Sequence, residues 1–327
     1  MRLFITGAAG FIGSNYLRHV LGTSDDAVVA FDALTYAGNL DSIKDLLGDR
    51  ASFVHGDITD RAAVRSAMAG CDQVVHFAAE SHVDRSITGP DAFVHTNCFG
   101  TNVLCDVARQ IGVERFVHIS TDEVYGSVEV GSSLETDAVA PRSPYAASKA
   151  GSDLIALSYF STHGLPVIVS RASNNYGPFQ FPEKVIPLFA TNLLDGASVP
   201  LYGDGLNIRD WLHVDDHCAA IDTILSEGSH GEIYNVGAGN EITNRDLTER
   251  LVELCGRDES AIEYVPDRPG HDRRYSLDCT KLRALGWTPR QNLTAGLEQT
   301  VEWYRTNRNW WEALKTGPLQ SRTAERP

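Results

Sequence analysis

Positive charge is scarce in this sequence of 327 residues. Lysine and arginine number 28 against 43 aspartates and glutamates, which gives a formal net charge of −15 at pH 7. Nucleic acid and anionic membrane both bind proteins through a basic surface, so this balance disfavours either as a partner. It does not exclude one small anionic ligand, because a few local cations and backbone amides can hold a phosphate group.

Long apolar runs and cysteine pairs are missing as well. No stretch approaches the roughly 18 consecutive apolar residues of a membrane-spanning helix, and the apolar start of the chain turns at Gly7, too soon for a signal-peptide core. None of the six cysteines forms a C-x-x-C pair, so we expect reduced, buried thiols. These absences predict a cytoplasmic protein without a membrane partner.

Short apolar segments alternate with helical stretches in the first half of the chain. The helical stretches include 91–111 and 144–163, and the apolar segments lie at 3–6, 27–32, 52–57, 73–78, 115–120 and 167–171. This alternation predicts an α/β fold, a Rossmann-type doubly wound parallel sheet with helices on both faces.

The texture of the sequence changes after about residue 172. Glycine, proline and asparagine cluster at 174–178, 195–205 and 267–270, with shorter elements between the clusters. We predict a first domain of residues 1–172 and a smaller, loop-rich C-terminal domain of residues 173–327, partly interleaved with the first.

A glycine triplet follows the first predicted strand and opens a predicted helix. Gly7, Gly10 and Gly13 would let the backbone approach a pyrophosphate and offer it the helix amino terminus. The triplet alone is weak evidence, because similar spacings occur in ordinary turns. Asp32 strengthens it, since a carboxylate at the end of the next strand can bind an adenosine ribose and would repel a 2′-phosphate. The segment therefore predicts NAD rather than NADP as cofactor.

This glycine spacing resembles the extended short-chain dehydrogenase/reductase superfamily. The resemblance implies that Asp57 and Ile58 flank the adenine and that the segment 77–81 lies beneath the cofactor. It also implies that the hydroxyl partner of the catalytic residues comes from Ser120 and Thr121, at the end of a predicted strand.

Tyr145 and Lys149 lie four residues apart on a predicted helix, so they share one face. A lysine cation near a phenol lowers the phenol's pKa, and a phenolate can accept a proton from an alcohol while hydride leaves the carbon. A Y-x-x-x-K spacing by itself is more often an ordinary feature of an amphipathic helix. The nearby Ser120 and Thr121 favour alcohol oxidation instead.

Two adjacent acids, Asp122 and Glu123, follow the strand that ends at these hydroxyls. Such a pair is usually a solvated loop feature, but ligands bind at the carboxyl edge of parallel sheets, where this pair lies. Two carboxyls in different environments can hold separate pKa values, one protonated and one ionised. Together they could remove a proton alpha to a ketone and expel a hydroxyl beta to it, which oxidation alone does not require.

The acid pair, together with Tyr145 and Lys149, resembles the nucleoside-diphosphate-glucose 4,6-dehydratases, especially those that act on dTDP-glucose. Further segments match that family over nearly the whole chain, at 32–39, 80–86, 173–178, 180–185, 203–210 and 267–275. The implied reaction converts a nucleotide-linked glucose to its 4-keto-6-deoxy derivative for deoxysugar biosynthesis, with tightly bound NAD reduced and then restored.

The resemblance also implies a role for each catalytic residue. Tyr145 would remove the C4 hydroxyl proton, with Thr121 bonded to the C4 oxygen and Lys149 beside the tyrosine. Glu123 would abstract the C5 proton, and Asp122 would protonate the departing C6 hydroxyl. No metal is implied.

Two sets of binding residues follow from the same resemblance. The cofactor set is Gly7, Gly10, Phe11, Ile12, Gly13, Asp32, Ala33, Leu34, Thr35, Asp57, Ile58, Phe77, Ala78, Ala79, Ser81, Thr96, Tyr145, Lys149 and Asn175. The substrate set is Ser81, Thr121, Asn174, Lys184, Val185, Pro200, Leu201, Tyr202, Arg209, Asn244, Arg268, His271 and Tyr275. Arg209 and Arg268 also make physical sense, since a guanidinium binds phosphate oxygens in a bidentate way.

Three alternatives share part of these motifs. A 4-epimerase keeps the Tyr/Lys pair and NAD but does not use an adjacent Asp-Glu pair. A nucleotide-glucuronate decarboxylase usually has a serine in place of Asp122. A non-catalytic NAD-binding protein would need Gly7–Gly13 and Asp32 but none of the four catalytic side chains. The nucleotide base, thymine or uracil, stays open, because one methyl group contributes only about 1–3 kcal/mol of discrimination.

The resemblance finally implies a homodimer through a four-helix contact. Its helices would correspond to 99–111 and 145–163 of this chain. Apolar residues recur at helical spacing on both, at Val103, Leu104, Val107 and Ile111 on one and at Leu154, Ile155, Leu157 and Tyr159 on the other. These side chains could face either a partner or the sheet.

Overall fold

The computed structural model describes residues 1–267 and 270–316. Its strands are β1 (Arg2–Thr6), β2 (Ala27–Asp32), β3 (Ala51–His55), β4 (Gln73–His76), β5 (Arg115–Thr121), β6 (Val167–Ala172), β7 (Asn174–Tyr176), β8 (Val199–Tyr202), β9 (Ile208–His213), β10 (Ile233–Val236), β11 (Glu241–Thr243) and β12 (Ile262–Val265). Its α-helices are α1 (Phe11–Thr23), α2 (Arg61–Met68), α3 (Val83–Thr88), α4 (Pro90–Phe93), α5 (Thr101–Ile111), α6 (Pro144–His163), α7 (Val185–Leu194), α8 (Val214–Glu227), α9 (Asn244–Leu254), α10 (Thr280–Arg283), α11 (Leu293–Thr306) and α12 (Arg308–Thr316).

Seven parallel strands form the central sheet, in the order β10-β6-β5-β4-β1-β2-β3. The order reverses between β1 and β4, which makes their carboxyl ends the switch point at which ligands bind in such sheets. Two buried apolar clusters cover the sheet. One includes residues of α1 and α8, and the other includes residues of α5. The predicted doubly wound α/β fold is confirmed.

Two details of the predicted elements differ in the structure. The strand expected at 73–78 ends at His76; the Phe77 N–H still donates to the Thr6 carbonyl of β1, and the backbone of Phe77 and Ala78 then packs against Gly7. The helix expected at 91–111 begins at Pro90 and contains a π-helical segment, Val94–Gly100. Wide turns of this kind occur often at functional sites, and this one brings Thr96 to the cleft described below.

The later part of the chain is built around smaller sheets. Strands β11, β9 and β7 form one and β12 and β8 form another, over a separate apolar cluster that includes residues of α7, α9 and α11. Strand β10 and helix α8 nevertheless belong to the central sheet and its covering layer. The division at residue 172 stays a prediction. Within the described ranges, no helix has the length and apolar character needed to span a bilayer.

Candidate active site

The glycine turn after β1 packs directly against the end of β4. Gly7 has φ +66°, and a Cβ placed there would lie 2.6 Å from the Ala78 nitrogen. A Cβ on Gly13 would lie 2.1 Å from the Gly7 carbonyl oxygen. Because both positions exclude any side chain, the turn is tight and the start of α1 faces the cleft above the sheet, as a dinucleotide pyrophosphate requires.

Asp32 lies at the end of β2, next to this turn. Its carboxylate oxygens accept hydrogen bonds from the backbone N–H groups of Ala9, at 2.9 Å, and Leu34, at 2.8 Å. Burial raises the pKa of Asp32, and the two backbone bonds oppose that rise. Leu34 has φ +48° and Gly38 leaves no room for a Cβ beside the carboxylate. The carboxylate is therefore fixed at the edge of the cleft, where a ribose would lie.

Most of the predicted site residues meet in one cleft at the carboxyl edge of the central sheet. From the predicted sets, the cleft is lined by Gly7, Gly10, Phe11, Ile12, Gly13, Asp32, Ala33, Thr35, Asp57, Ile58, Phe77, Ala78, Ala79, Ser81, Thr96, Thr121, Asp122, Glu123, Tyr145, Lys149, Asn174, Asn175 and Lys184. The predicted residues outside this lining are Leu34, Val185, Pro200, Leu201, Tyr202, Arg209, Asn244, His271 and Tyr275. Arg268 lies outside the described residues.

The acid pair begins a short 3₁₀ turn directly after β5. The Thr121 hydroxyl accepts from the Glu123 N–H and donates to Asp122 Oδ1, both at 3.3 Å. Asp122 is only 3% exposed, and its Oδ2 has no hydrogen-bond partner in the part of the chain that the structure describes. Burial, followed by the charge of Glu123, raises the pKa of Asp122 well above its usual range. Asp122 is thus suited to donate a proton, and the more accessible Glu123 to accept one.

Helix α6 presents Tyr145 and Lys149 to the same cleft. Pro144 and the Ser143 side chain, which accepts from the Ala146 N–H, start the helix so that both side chains face β5. Lys149 Nζ donates to the Ile119 carbonyl at 2.6 Å, and burial lowers its pKa to about 8.

The pKa of Tyr145 differs from the expectation for a tyrosine beside a lysine. Burial and then the charge of Glu123 raise it, against the opposing hydrogen bond with Thr121. The Lys149 ammonium is bonded to the Ile119 carbonyl. Burial and the charge of Glu123 outweigh the lowering of the phenol pKa that a neighbouring lysine is expected to cause.

A buried ionic cluster lies behind Lys149. Asp153, one helical turn further along α6, accepts from Arg171 Nε at 2.9 Å and lies 3.3 Å from His118 Nε2. Burial by itself would raise the pKa of Asp153, but His118, Arg171 and Lys149 together hold it below its usual range. The ionised Asp153 therefore favours the cationic form of Lys149.

Polar side chains of the loop-rich part line the opposite wall of the cleft. Lys184, which precedes α7, donates to the Ser81 carbonyl at 2.8 Å. Asn174 begins β7, and its side-chain oxygen is buried without a hydrogen-bond partner among residues 1–267 and 270–316. Asn175 accepts or donates at 2.9 Å with His217, another residue of the lining. The side-chain oxygen of Asn174 can therefore accept a hydrogen bond from a ligand hydroxyl.

Arg209 and Tyr275 form a buried group outside the cleft lining. The guanidinium stacks over the Tyr275 ring at 4.2 Å and donates to the Asp272 carbonyl at 2.9 Å, while the Tyr275 hydroxyl donates to the Asp272 carboxylate. The charge of Arg209 also lowers the pKa of Asp122, against the raising effect of burial. Arg209 is thus close enough to act on the catalytic acid electrostatically.

Tyr202 and His271 lie further out, with ring centroids 6.4 Å apart and an edge-on geometry. His271 Nδ1 is 2.7 Å from an oxygen of Asp267. The predicted contacts Pro200 and Leu201 belong to the same strand as Tyr202, β8.

Several residues that line the cleft were not in the predicted catalytic, cofactor or substrate sets. They are Phe31, Ala37, Gly38, Gly56, Glu80, Ile119, Ser120, Ala172, Ser173, Gln180, Phe181, Glu183 and His217. Glu80 and Glu183 lie inside segments that match the dehydratase family, and that position could have indicated that they line the cleft. Ser120 was noted as a hydroxyl at the end of β5, and its buried oxygen also lacks a partner within the described ranges.

Comparison with known proteins agrees with this geometry. The family model described as GDP-mannose 4,6 dehydratase matches residues 4–300. A curated dTDP-glucose 4,6-dehydratase of Streptomyces antibioticus is 56% identical over 325 residues, which cover 97% of this chain and 96% of the relative.

Solved structures of related proteins have the same fold as this chain. DesIV, a dTDP-glucose 4,6-dehydratase of Streptomyces venezuelae crystallised with NAD, has a TM-score of 0.94 and 53% identity over 96% of this chain and 100% of its own. A UDP-glucose 4-epimerase of Thermotoga maritima has a TM-score of 0.88 at 32% identity, over 94% of this chain and 100% of its own. With nearly its whole length matched, the chain belongs to the GDP-mannose 4,6-dehydratase family.

Proposed function

We propose that this protein is an NAD-dependent hydro-lyase that converts dTDP-glucose to dTDP-4-keto-6-deoxy-glucose in deoxysugar biosynthesis. The observation that carries the proposal is the Asp122–Glu123 pair, which lines the same cleft as Tyr145 and Lys149. A relative 56% identical over nearly the full length carries the name of this activity. NAD fits the cleft because the glycine turn excludes side chains and Asp32 is fixed beside it.

NAD, when bound, supplies a cationic nicotinamide that accepts a hydride and returns it later in the same turnover. Tyr145 removes the C4 hydroxyl proton, and the Thr121 hydroxyl bonds the C4 oxygen. Lys149 stays cationic through the support of Asp153 and favours the phenolate. The C4 ketone makes the C5 proton acidic, which lets Glu123 remove it as a general base.

Asp122 completes the elimination as a general acid. Burial and the charge of Glu123 raise the pKa of its carboxyl, which favours the protonated form that can donate a proton to the C6 hydroxyl as water leaves. After elimination, the proton held by Glu123 is available for return to C5. The chemistry is internally balanced, since the substrate loses one water and undergoes no net oxidation.

We also propose that the loop-rich part holds the nucleotide diphosphate. Lys184 and Asn174 would contact the sugar and the adjacent phosphate from the cleft wall. Arg209 would bind a phosphate, and Tyr202 would pack against the base. Val185, Pro200, Leu201, Asn244, His271 and Tyr275 complete this predicted set, with Arg268 outside the described residues.

A turnover assay tests the proposed function. The purified protein is incubated with dTDP-glucose or UDP-glucose, and the products are analysed by mass spectrometry and NMR. We expect loss of one water from dTDP-glucose. An unchanged mass with inverted configuration at C4 would instead indicate an epimerase. This is the relevant alternative because a solved UDP-glucose 4-epimerase has a similar fold. Absence of turnover with both sugars would contradict the proposal.

We further propose a homodimer in which the helices α5 and α6 of two copies meet. Of the apolar residues considered from sequence, Val103, Leu104 and Val107 are fully buried against the sheet and are unavailable to a partner. The exposed apolar surface comprises instead Val94 (56% exposed), Phe99 (46%) and Leu154 (58%). Val94 and Phe99 also line a shallow depression, together with Asn102 and Ile155. Burial of such a patch against its own copy removes apolar surface from water.

Sedimentation analysis tests the dimer. Leu154→Glu places a charge in the patch and should yield monomers, whereas Val130→Glu, at an apolar residue exposed on a loop away from these helices, should leave the dimer intact. A monomeric wild-type profile at micromolar concentration would overturn the proposal.

We propose a cytoplasmic location on the basis of the six free thiols, and cell fractionation tests it.

A further inference from the structure

Three separate segments of the cleft wall meet around the guanidinium of Arg85. This group lies 3.7 Å from the centroid of the Tyr36 ring, close enough for a cation–π contact. Its Nη2 also lies 3.0 Å from Glu183 Oε2. We call Tyr36, Arg85 and Glu183 the Arg85 clamp.

Each member of the clamp belongs to a different part of the cleft. Tyr36 lies between Thr35 and Ala37, which line the cleft three and five residues after Asp32. Arg85 lies on α3, shortly after the cleft residue Ser81. Glu183 itself lines the cleft and precedes α7.

A second link reinforces the meeting of these segments. Lys184 donates to the Ser81 carbonyl at 2.8 Å, and the Tyr36 ring meets Phe181 edge-on at 5.9 Å. The segments after β2, after β4 and before α7 are therefore joined on one side of the cleft. The Arg85 side chain contacts both of the other segments, through the Tyr36 ring and the Glu183 carboxylate.

The clamp also sets the charge of this wall. Glu80 and Glu183 are partly buried carboxyls that line a cleft suited to a dinucleotide pyrophosphate, so they would repel it when ionised. Arg85 interacts electrostatically with both. Its positive charge offsets part of theirs on this side of the cleft.

We propose that Arg85 is a positioning residue for the cofactor, which joins three segments of the cleft wall and thereby slows the release of NAD. This proposal rests on NAD as the cofactor of the proposed function. Retention matters for that reaction, because a hydride held by the cofactor has to return to the same sugar before the cofactor leaves.

The test measures NAD release rather than turnover. Arg85→Ala removes the clamp, and Arg85→Lys keeps the charge without the planar stacking group. Tyr36→Leu removes the aromatic face together with the hydroxyl, which interacts with Ser81 and Glu183. Arg305→Ala serves as control, because Arg305 also pairs with one carboxylate on a partly exposed surface, that of Glu302 on α11. Each protein is loaded with NAD, separated from free nucleotide, and assayed over time for bound NAD by fluorescence and mass spectrometry.

We expect Arg85→Ala to release NAD about tenfold faster than the wild type, with Tyr36→Leu close to it and Arg85→Lys between. The effects in the double variant Arg85→Ala/Tyr36→Leu should be less than additive, because the contact between Arg85 and Tyr36 is lost in both single variants. Without NAD, the urea unfolding midpoint of Arg85→Ala should equal that of Arg305→Ala. This comparison separates a positioning role of Arg85 from general destabilisation of the fold.

Wild-type release kinetics in Arg85→Ala would overturn the inference, as would fully additive effects in the double variant. These results are independent of the sugar assay. If the wild type binds NAD but turns over no nucleotide-glucose, the proposed function fails while the clamp stands. If it dehydrates dTDP-glucose while Arg85→Ala retains NAD normally, the clamp fails alone.

Discussion

Replacement of Asp122 by asparagine should separate oxidation of the sugar from elimination of water. The side chain is 3% exposed, and its one described hydrogen bond, from Thr121 to Oδ1, can be kept by an amide oxygen of the same size. Because burial raises the pKa of this carboxyl and favours its neutral form, we expect the exchange to remove no charge from the interior. The free energy of unfolding should therefore change by less than about 1 kcal/mol, which makes the variant a test of chemistry alone.

The size of the kinetic effect follows from the role assigned to this residue. A positioned general acid contributes roughly 100- to 10,000-fold to a rate, so Asp122→Asn should slow water loss by that factor and leave C4 oxidation nearly unchanged. Rapid-mixing absorbance of NADH in a single turnover measures the two steps separately. NADH should accumulate in Asp122→Asn and not in Glu129→Gln, an exposed acid of the following loop. Water loss at the parental rate in Asp122→Asn would refute the role of this carboxyl.

Three further predictions concern stability and pH. Gly13→Ala places a Cβ 2.1 Å from the Gly7 oxygen and should lower the free energy of unfolding in urea by at least about 2 kcal/mol. Gly22→Ala, in open space on the same helix, should not lower it. Equal effects of the two substitutions would contradict the packing argument. The pKa of Lys149 is lowered to about 8, so turnover should decline as pH rises through that value, and a kcat that stays constant up to pH 10.5 would count against a catalytic cation. Burial lowers the pKa of His118 to about 4, so between pH 6.5 and 4 the unfolded chain binds the extra proton and stability should fall as pH falls. His118→Gln should show a shallower decline, and an identical pH dependence in both proteins would refute this assignment.

The cofactor half of the cleft could be predicted from sequence because its signals are local. A glycine triplet between a strand and a helix, and Asp32 at the end of the next strand, specify backbone geometry within a few residues. The parallel sheet then brings the ends of β1, β2, β4 and β5 to one edge, so Thr121 and Asp122 join the same cleft. Alternation of elements was enough to predict this much.

The remaining parts depend on contacts between distant segments. No local pattern indicates that β10 pairs with β6 to complete the central sheet. Helical spacing could not decide which apolar residues of α5 face the sheet, since Val103 and Leu104 pack inward whereas Phe99 on the preceding π-helical turn is exposed. Likewise, the sequence indicated Tyr36, Arg85 and Glu183 only as parts of matching segments, and their mutual contact requires the folded chain.

The pKa of Tyr145 shows a different limit. The spacing of Tyr145 and Lys149 specifies their shared helix face, but the hydrogen bond from Lys149 to the Ile119 carbonyl and the proximity of Glu123 determine the local electrostatics. Burial and neighbouring charge are tertiary properties, so they modify the chemistry that the motif suggests.

Turnover of dTDP-glucose in deuterated water tests the central claim most directly. Abstraction of the C5 proton by Glu123, exchange of that proton with solvent and return of a deuteron to C5 predict a product that has lost one water and carries solvent deuterium at C5, as read by NMR and mass spectrometry. Glu123→Gln should form NADH without this exchange. A dehydrated product without deuterium at C5, or an undehydrated sugar inverted at C4, would contradict the mechanism derived for Asp122, Glu123 and Tyr145.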